Sequence, residues 1–414
     1  MNLELFIARR IARNGPGNRP GVMVRIAVVA VALSVTVMIL ALAVIMGFKR
    51  EITDRVTGFS AQVEVADLRS AGSIESVPVP RSEQLERAIR SAGEVVRLAP
   101  YAVKGGVVKT PDAILGVMLK GVDGGYDWSF FRDHLLEGEL PRVGDSIRTK
   151  EILISRSVAR EMGLVPGDKV EMLFVESEKS PRRDRFKVSG IYATGMDEFD
   201  RSVAMTDLRN VQRLADWSSD EVSGYEVTLA DFSQAEDFSR RLNDMLLDSD
   251  REAFWDLTAR SAQERFPTVF DWLKTHDVNA AVILVIMVVV AVFNMATLLT
   301  LVLERTRMIG LLKTMGMNSA SLRRIFLYRA LMLILRGVVW GNAIGLGICL
   351  LQYYFHLIPL DPEGYMLSEV PVAFGVGWWL ALNAGVVAVI LTLLMLPASI
   401  ISQVKPVEAI RYDS

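Results

Sequence analysis

Cysteine and histidine are almost missing from this chain. Cys349 is the only thiol in 414 residues, which excludes an intrachain disulfide and leaves any domain outside the cytoplasm to be held by its own apolar core. His134, His276 and His356 stand far apart, without H-x-x-x-H spacing, so no metal site is expected. No G-x-S-x-G elbow marks a serine nucleophile. No G-x-x-x-x-G-K-[ST] phosphate cradle occurs either, because the glycine-rich stretch 15–21 lacks the lysine and the following helix and reads as a turn. An excess of one charge is also lacking: 46 basic against 48 acidic side chains leave a net charge of −2. Without a clustered basic face, nucleic acid is not an expected partner. The chain reads as no enzyme, with no cofactor of its own, so if ATP powers it the nucleotide binds another chain.

What is abundant is apolar sequence. Hydrophobic residues make up 51% while charged residues still supply 23%, so the apolar excess is concentrated in segments. Four uncharged runs, 26–48, 280–303, 337–355 and 372–396, reach the roughly 20 residues a helix needs to cross about 30 Å of hydrocarbon. The first lacks an A-x-A cleavage site and exceeds a signal-peptide core, so it reads as an uncleaved span.

Lysine and arginine near the span ends set the orientation. Arg9, Arg10, Arg13, Arg19 and Arg25 precede the first span; Arg305, Arg307, Lys313, Arg323 and Arg324 lie between the second and third. The turn between the third and fourth carries Asp361, Glu363 and Glu369 but no lysine or arginine. Both termini are thus expected in the cytoplasm. The expected order is an amphipathic cytoplasmic segment (1–25), the first span (26–48), a large outer domain (49–279), the second span (280–303), an inner connection with a lead-in helix (304–336), the third span (337–355), an outer loop (356–371), the fourth span (372–396) and an inner tail (397–414).

The outer domain mixes period-two alternation with helical spacing, which predicts an α+β unit. Strands are expected near 62–65, 95–103, 107–109, 115–120, 170–175, 185–192 and 225–229, and helices near 82–91, 155–162, 206–214 and 233–247. The charged connection 176–185 reads as a solvated hairpin tip. Pro181, Arg182, Arg183 and Arg185 within it are candidates for docking a partner's carboxylates, against the bland alternative of an ordinary charged loop.

Inside the spans, Gly337, Gly341 and Gly345 recur every four residues and Gly347 follows. They predict a smooth face where another backbone approaches closely, in a static bundle or at a sliding dimer interface. Asn294 and Asn383 call for hydrogen-bond partners on neighbouring helices, with substrate contact the lesser alternative. No Asp, Glu, Lys or Arg lies at mid-bilayer depth, which argues against ion conduction or proton coupling.

After the second span comes Glu304-Arg305-Thr306-Arg307-Met308-Ile309-Gly310-Leu311-Leu312-Lys313-Thr314-Met315-Gly316-Met317, then Asn318-Ser319 and a helix over 320–335. It reads as a helix leaving the membrane, a break at Gly316, a cap at Asn318 or Ser319, and a returning helix. Its apolar residues imply burial at the interface or against a partner.

That stretch, the returning Arg323-Arg324-Ile325-Phe326-Leu327, the glycine ladder and the terminal Lys405-Pro406-Val407-Glu408-Ala409-Ile410-Arg411-Tyr412 resemble the FtsX/MacB superfamily of ABC-transporter permeases. Leu5-Phe6-Ile7-Ala8-Arg9-Arg10, Pro359-Leu360-Asp361-Pro362-Glu363-Gly364-Tyr365 and Glu151-Ile152-Leu153-Ile154 are similar to the lipoprotein-releasing LolC/LolE-type permeases. The resemblance implies a bacterial inner-membrane protein with four transmembrane α-helices and a periplasmic α+β domain between the first and second. It implies a permease pair, homo- or heterodimeric, on two copies of a separate ATPase that binds ATP and Mg. Glu304, Arg305, Arg307, Ile309, Gly310, Met315, Gly316 and Met317 fall in the segment that couples to that ATPase. The implied substrate is a lipoprotein, passed from the membrane lipids to a periplasmic carrier that LolC-type subunits hold with a hairpin hook; the 176–185 connection is short and charged for one. The alternatives are a mechanotransmitting permease serving periplasmic efflux or a cell-wall hydrolase, and a ligand-sensing receptor.

Overall fold

A computed structural model describes residues 22–70, 75–111, 113–144, 147–176, 179–248, 252–275, 314–361 and 367–400, with Phe6 and a few positions between 278 and 289. Most of the second predicted span, most of the segment before the first, and the tail beyond 400 lie outside the described residues. The chain forms two compact units. One comprises Glu51–Trp272 with Leu360–Ser368, and the other comprises Met1–Arg50, Leu273–Pro359 and Glu369–Ser414.

The described residues of the first unit form twelve strands: β1 Val63–Asp67, β2 Val79–Pro80, β3 Val95–Lys109, β4 Ile114–Val122, β5 Leu135–Gly138, β6 Glu151–Ser155, β7 Lys169–Glu176, β8 Lys179–Tyr192, β9 Val203–Asp207, β10 Glu221–Val222, β11 Gly224–Leu229 and β12 Leu257–Ser261. Ten of them form one mixed sheet in the order β12-β1-β11-β3-β4-β9-β6-β8-β5, with β7 bridging β3 and β8. The pairings β3-β4-β9-β6-β8-β7 therefore close a ring, and β11, β1 and β12 continue from the first half of β3. Its interior is apolar, with Leu119, Ile152, Met172, Phe174 and Phe186 all buried. The outermost strand β12 is not left open. The side-chain amide of Asn243 accepts from Ala259 N and donates to Ala259 O at 2.7 and 2.9 Å, imitating a further strand at that residue.

The helices of this unit begin where a side chain can accept from an orphan N–H. Ser82 caps Glu83–Ser91, Ser155 caps Arg156–Met162, Asp207 caps Leu208–Ala215, and Ser261 with Glu264 forms a capping box on Ala262–Arg265. Two expectations need correction. The strands expected at 95–103 and 107–109 are one strand, because Gly105-Gly106 does not break it: a Cβ on Gly106 would lie 2.6 Å from the Phe174 ring, so the bare backbone there seats that ring. The solvated tip expected over 176–185 is mostly strand, since β7 and β8 leave only 177–178 between them. Between Phe174↔Arg182 and Glu176↔Lys179 strand β8 carries one extra residue, and Pro181, which has no N–H to give the ladder, sits in that bulge.

Among the described residues two helices are long and apolar enough, by length and composition, to cross a membrane: Val24–Ser60 within the helix Val22–Ser60, whose residues from Glu51 on belong to the sheet unit, and Ala320–Phe355 within Ser319–Phe355. A third, Val376–Ile400, holds a shorter apolar stretch. The lead-in helix and third span predicted separately are one 37-residue helix, since no proline or cap interrupts 335–337. Gly337, Gly341 and Gly345 face the first helix. Cβ atoms added there would lie 2.7, 2.6 and 3.2 Å from the Cβ atoms of Val31, Val35 and Ile39, one turn apart on each helix. Gly347 does not share this face; an added Cβ would meet nothing within 4 Å, because two residues of helix rotate it to the far side.

Candidate coupling joint

The predicted sites fall in separate places. Of the coupling segment, Glu304, Arg305, Arg307, Ile309 and Gly310 lie outside the described residues. Gly316 has φ +88°, the left-handed conformation that ends a helix, and Met315 beside it is 76% exposed. Met317 is half-buried, and Asn318 caps the following helix by accepting from Ala320 N at 3.2 Å. The four docking candidates share the surface of β8. Arg182 is paired with Asp216 and donates to Arg213 O at 3.2 Å; Arg183 and Arg185 flank Glu171 at 3.7 and 3.5 Å. Arg182 thus already answers a carboxylate of its own domain, while Arg183 and Arg185 share one and stay exposed. Pro181 is exposed.

Asn383 meets Asn342, which the sequence reading passed over. Asn342 Nδ2 donates to Asn383 Oδ1 at 2.6 Å, Asn383 Nδ2 returns a bond to Asn342 Oδ1 at 3.2 Å, and Trp379 Nε1 donates to the same oxygen at 2.6 Å. Thr36 donates across to Gly341 O at 3.1 Å. Asn294 lies outside the described residues.

The most heavily built polar site was not anticipated. It surrounds the C-terminal end of the first helix, within the sheet unit. That helix ends at Ser60, Ala61 adopts φ +60°, and β1 starts at Val63, so there is no slack between helix and sheet. A left-handed alanine is costly. The last carbonyls of a helix lack internal partners and carry the negative end of its dipole. Here two cations from distant parts of the chain take them: Lys120 of β4 donates to Phe59 O at 3.2 Å, and Arg265 donates to Ser60 O at 2.7 Å. One turn earlier, Arg55 pairs with Glu51 at 3.0 Å and donates to Thr194 O at 2.6 Å. The Thr194 turn is itself held by the buried Asp200 carboxylate, which accepts from Thr194 N, Thr194 Oγ1 and Gly195 N. Phe59 rests against Phe199, ring centroids 4.8 Å apart.

The cations stand on a row of charge across the sheet. Arg260 of β12, Glu64 of β1 and Glu226 of β11 are direct cross-strand neighbours. Two carboxylates facing each other repel, and each is compensated. Lys120 binds Glu226 at 2.5 Å, with side chains only 6% and 9% exposed. Glu64 is approached by Arg265 at 2.9 Å and Arg260 at 3.5 Å and accepts the Tyr101 hydroxyl. Burial, then the adjacent Glu64 charge, pushes the Tyr101 phenol well above its ordinary range, so it stays a donor. The signal was in the sequence as single charges inside apolar strands, Glu64 between Val63 and Val65, Lys120 after Leu119, and Glu226 before Val227, but periodicity reads them as outward-facing.

A family model for the MacB-like periplasmic core domain matches residues 26–245, and one for the FtsX-like permease C-terminal region matches 280–406. The chain belongs to the MacB/FtsX-like permease family. Over most of its length this permease is similar to curated lipoprotein-releasing system transmembrane proteins. It is 26% identical to LolC of Xylella fastidiosa (strain 9a5c) over 90% of this chain and 89% of that one. It is 24% identical to LolC of Neisseria meningitidis serogroup B over the whole of both, and 22% identical to LolE of Haemophilus influenzae over 84% and 83%. Among solved structures, the periplasmic region of MacB from Actinobacillus actinomycetemcomitans aligns with 52% of the permease and 95% of that region at 12% identity, TM-score 0.35.

Proposed function

We propose that this permease is the membrane subunit of an ABC-type transporter that draws lipoproteins from the bacterial inner membrane and passes them to a periplasmic carrier. The observation that carries the reading is the similarity, over most of the chain, to lipoprotein-releasing transmembrane proteins. In this reading the chain is not catalytic, and ATP and Mg bind a separate pair of ATPase subunits. Four spans, with both termini inside, hold a periplasmic domain between the first and second, and a second permease subunit completes the pair. Glu304, Arg305, Arg307, Ile309, Gly310, Met315, Gly316 and Met317 engage the ATPase. The joint at Ser60 supports transmission: a helix clamped at its end to the sheet moves that sheet when it moves.

Reconstitution with the cognate ATPase and a fluorescent triacylated lipoprotein tests this. ATP-dependent release is expected. Release without ATP, or none, rejects the lipoprotein reading. Charge reversal at Arg305 or Arg307 should leave insertion intact and remove transport while hydrolysis continues. The match of 26–245 to a MacB-like core domain supports a second reading, in which the same motion serves periplasmic efflux or a cell-wall hydrolase. Copurification of an outer-membrane channel or a hydrolase would favour it, and a lipid-binding carrier would favour the first.

A further inference from the structure

Beside the clamped helix end the sheet unit has a half-open cavity of about 370 Å³, within the roughly 300–1,000 Å³ typical of small-molecule sites. We propose that it is a binding site for a small organic monoanion, a carboxylate carried on an aryl or short acyl body. The inference rests on the cavity's own chemistry and holds whatever the transporter's cargo is.

Phe59, Phe199, Phe266 and Met118 give the cavity an apolar wall. The other wall is the charged row, where the cavity's charged lining consists of Lys120, Arg260 and Arg265 against Glu64 and Glu226. Three cations face two carboxylates, leaving one positive charge. The distances locate it. Lys120 and Glu226 close on each other at 2.5 Å. Glu64 is shared by two guanidinium groups, Arg265 at 2.9 Å and Arg260 at 3.5 Å, and already accepts from Tyr101. One carboxylate cannot neutralise both. Arg265 has the shorter contact, is 16% exposed and also serves Ser60 O. Arg260 has the longer contact and is 30% exposed. The excess charge therefore belongs to Arg260, whose planar fork matches a carboxylate.

The same geometry restricts the ligand. A dianion such as a phosphate monoester would bring two charges beside Glu64 where only one is in surplus. A neutral apolar molecule would leave the guanidinium of Arg260 uncompensated. A monoanion with a flat apolar body meets both walls.

Calorimetry on the full-length permease in phosphatidylcholine nanodiscs, with empty discs as the blank, tests the site using 4-phenylbutyrate, its neutral amide 4-phenylbutyramide, and two variants. Saturable binding of one 4-phenylbutyrate per chain is expected. The amide and the Arg260→Gln variant should each bind about tenfold more weakly or worse, the loss of one charge-assisted hydrogen bond. Met118→Trp, which fills the apolar wall, should abolish binding while the melting temperature stays near wild type. Equal binding of acid and amide would overturn the charge argument. Binding that survives Met118→Trp, or that does not exceed the empty discs, would overturn the cavity as the site.

Discussion

The two units bury polar groups by opposite means. The sheet unit takes full charges inside and sets them against each other, with Lys120, Arg260 and Arg265 around Glu64 and Glu226. Within its described residues, the helical unit buries one arginine, Arg329, ahead of Gly337, and from Gly337 on it pairs neutral amides, Asn342 with Asn383, and strips side chains away at Gly337, Gly341 and Gly345 so that backbones touch. The solvent explains the contrast. Beside an aqueous phase a paired charge retains some screening, whereas in hydrocarbon a charge is costly enough that amides and close backbone contact replace it. A charged cluster therefore marks the watery end of the first helix, where it enters the sheet.

The comparison breaks most sharply if the charges can be removed singly without harm. Lys120→Met leaves Glu226 buried and facing Glu64, and removing one partner of a buried pair costs about 3–5 kcal/mol. The double variant Lys120→Met with Glu226→Leu should recover part of that loss, because two apolar side chains replace the ion pair while Phe59 O still lacks its Lys120 donor. Denaturant unfolding of the full-length protein reads both, and equal losses in the single and double variants would show that the pair is not the unit of stability.

Next in size is the glycine face. Gly341→Ile places new atoms 2.6 Å from Val35 Cβ and 2.7 Å from Ala32 O, an overlap costing about 1–3 kcal/mol or more when backbone must give. Gly347→Ile enters open space and should be close to neutral. Thermal unfolding in detergent should separate the two variants, and equal melting temperatures would mean that the helices do not pack along this face.

How much of this was legible depended on what each residue does locally. Caps and turns were readable, as at Ser82, Asn318 and Gly316, because a capping side chain or a left-handed glycine acts within a few residues of itself. Apolar runs were readable for the same reason. The strand β9 was missed, since Val203–Asp207 is buried along its length and has no alternation to detect. The clamp was missed because its parts, at positions 60, 120 and 265, are brought together only by the sheet. Even the glycine ladder announced a close approach without naming the Val31, Val35 and Ile39 ridge that it meets.

A smaller effect tests the helical unit's amides. Asn342→Leu removes the acceptor of Trp379 and both bonds to Asn383. Interhelical hydrogen bonds in membranes contribute about 0.6 kcal/mol on average and up to about 1–2 kcal/mol. A drop of that size in thermal stability is expected, less than for Gly341→Ile; a larger one would place these amides on a level with the glycine face.

The smallest effect concerns pH and isolates the sheet unit. The Arg69 side chain holds the Asp67 carboxyl below its usual range, and Arg142 does the same for Glu151. A depressed folded-state pKa means that the unfolded chain binds protons more readily, so stability from these pairs is complete above the ordinary carboxylate range and is lost as pH falls through the lowered folded values. Both arginines are largely exposed, with side chains 65% and 70% accessible, so solvent screens the gain and each pair contributes little. The melting temperature of the sheet unit should therefore fall gently on acidification below the ordinary carboxylate range. Arg142→Gln should make that fall shallower by removing one depressed carboxyl. An unchanged acid slope in Arg142→Gln would show that Glu151 draws its low pKa from elsewhere in the domain.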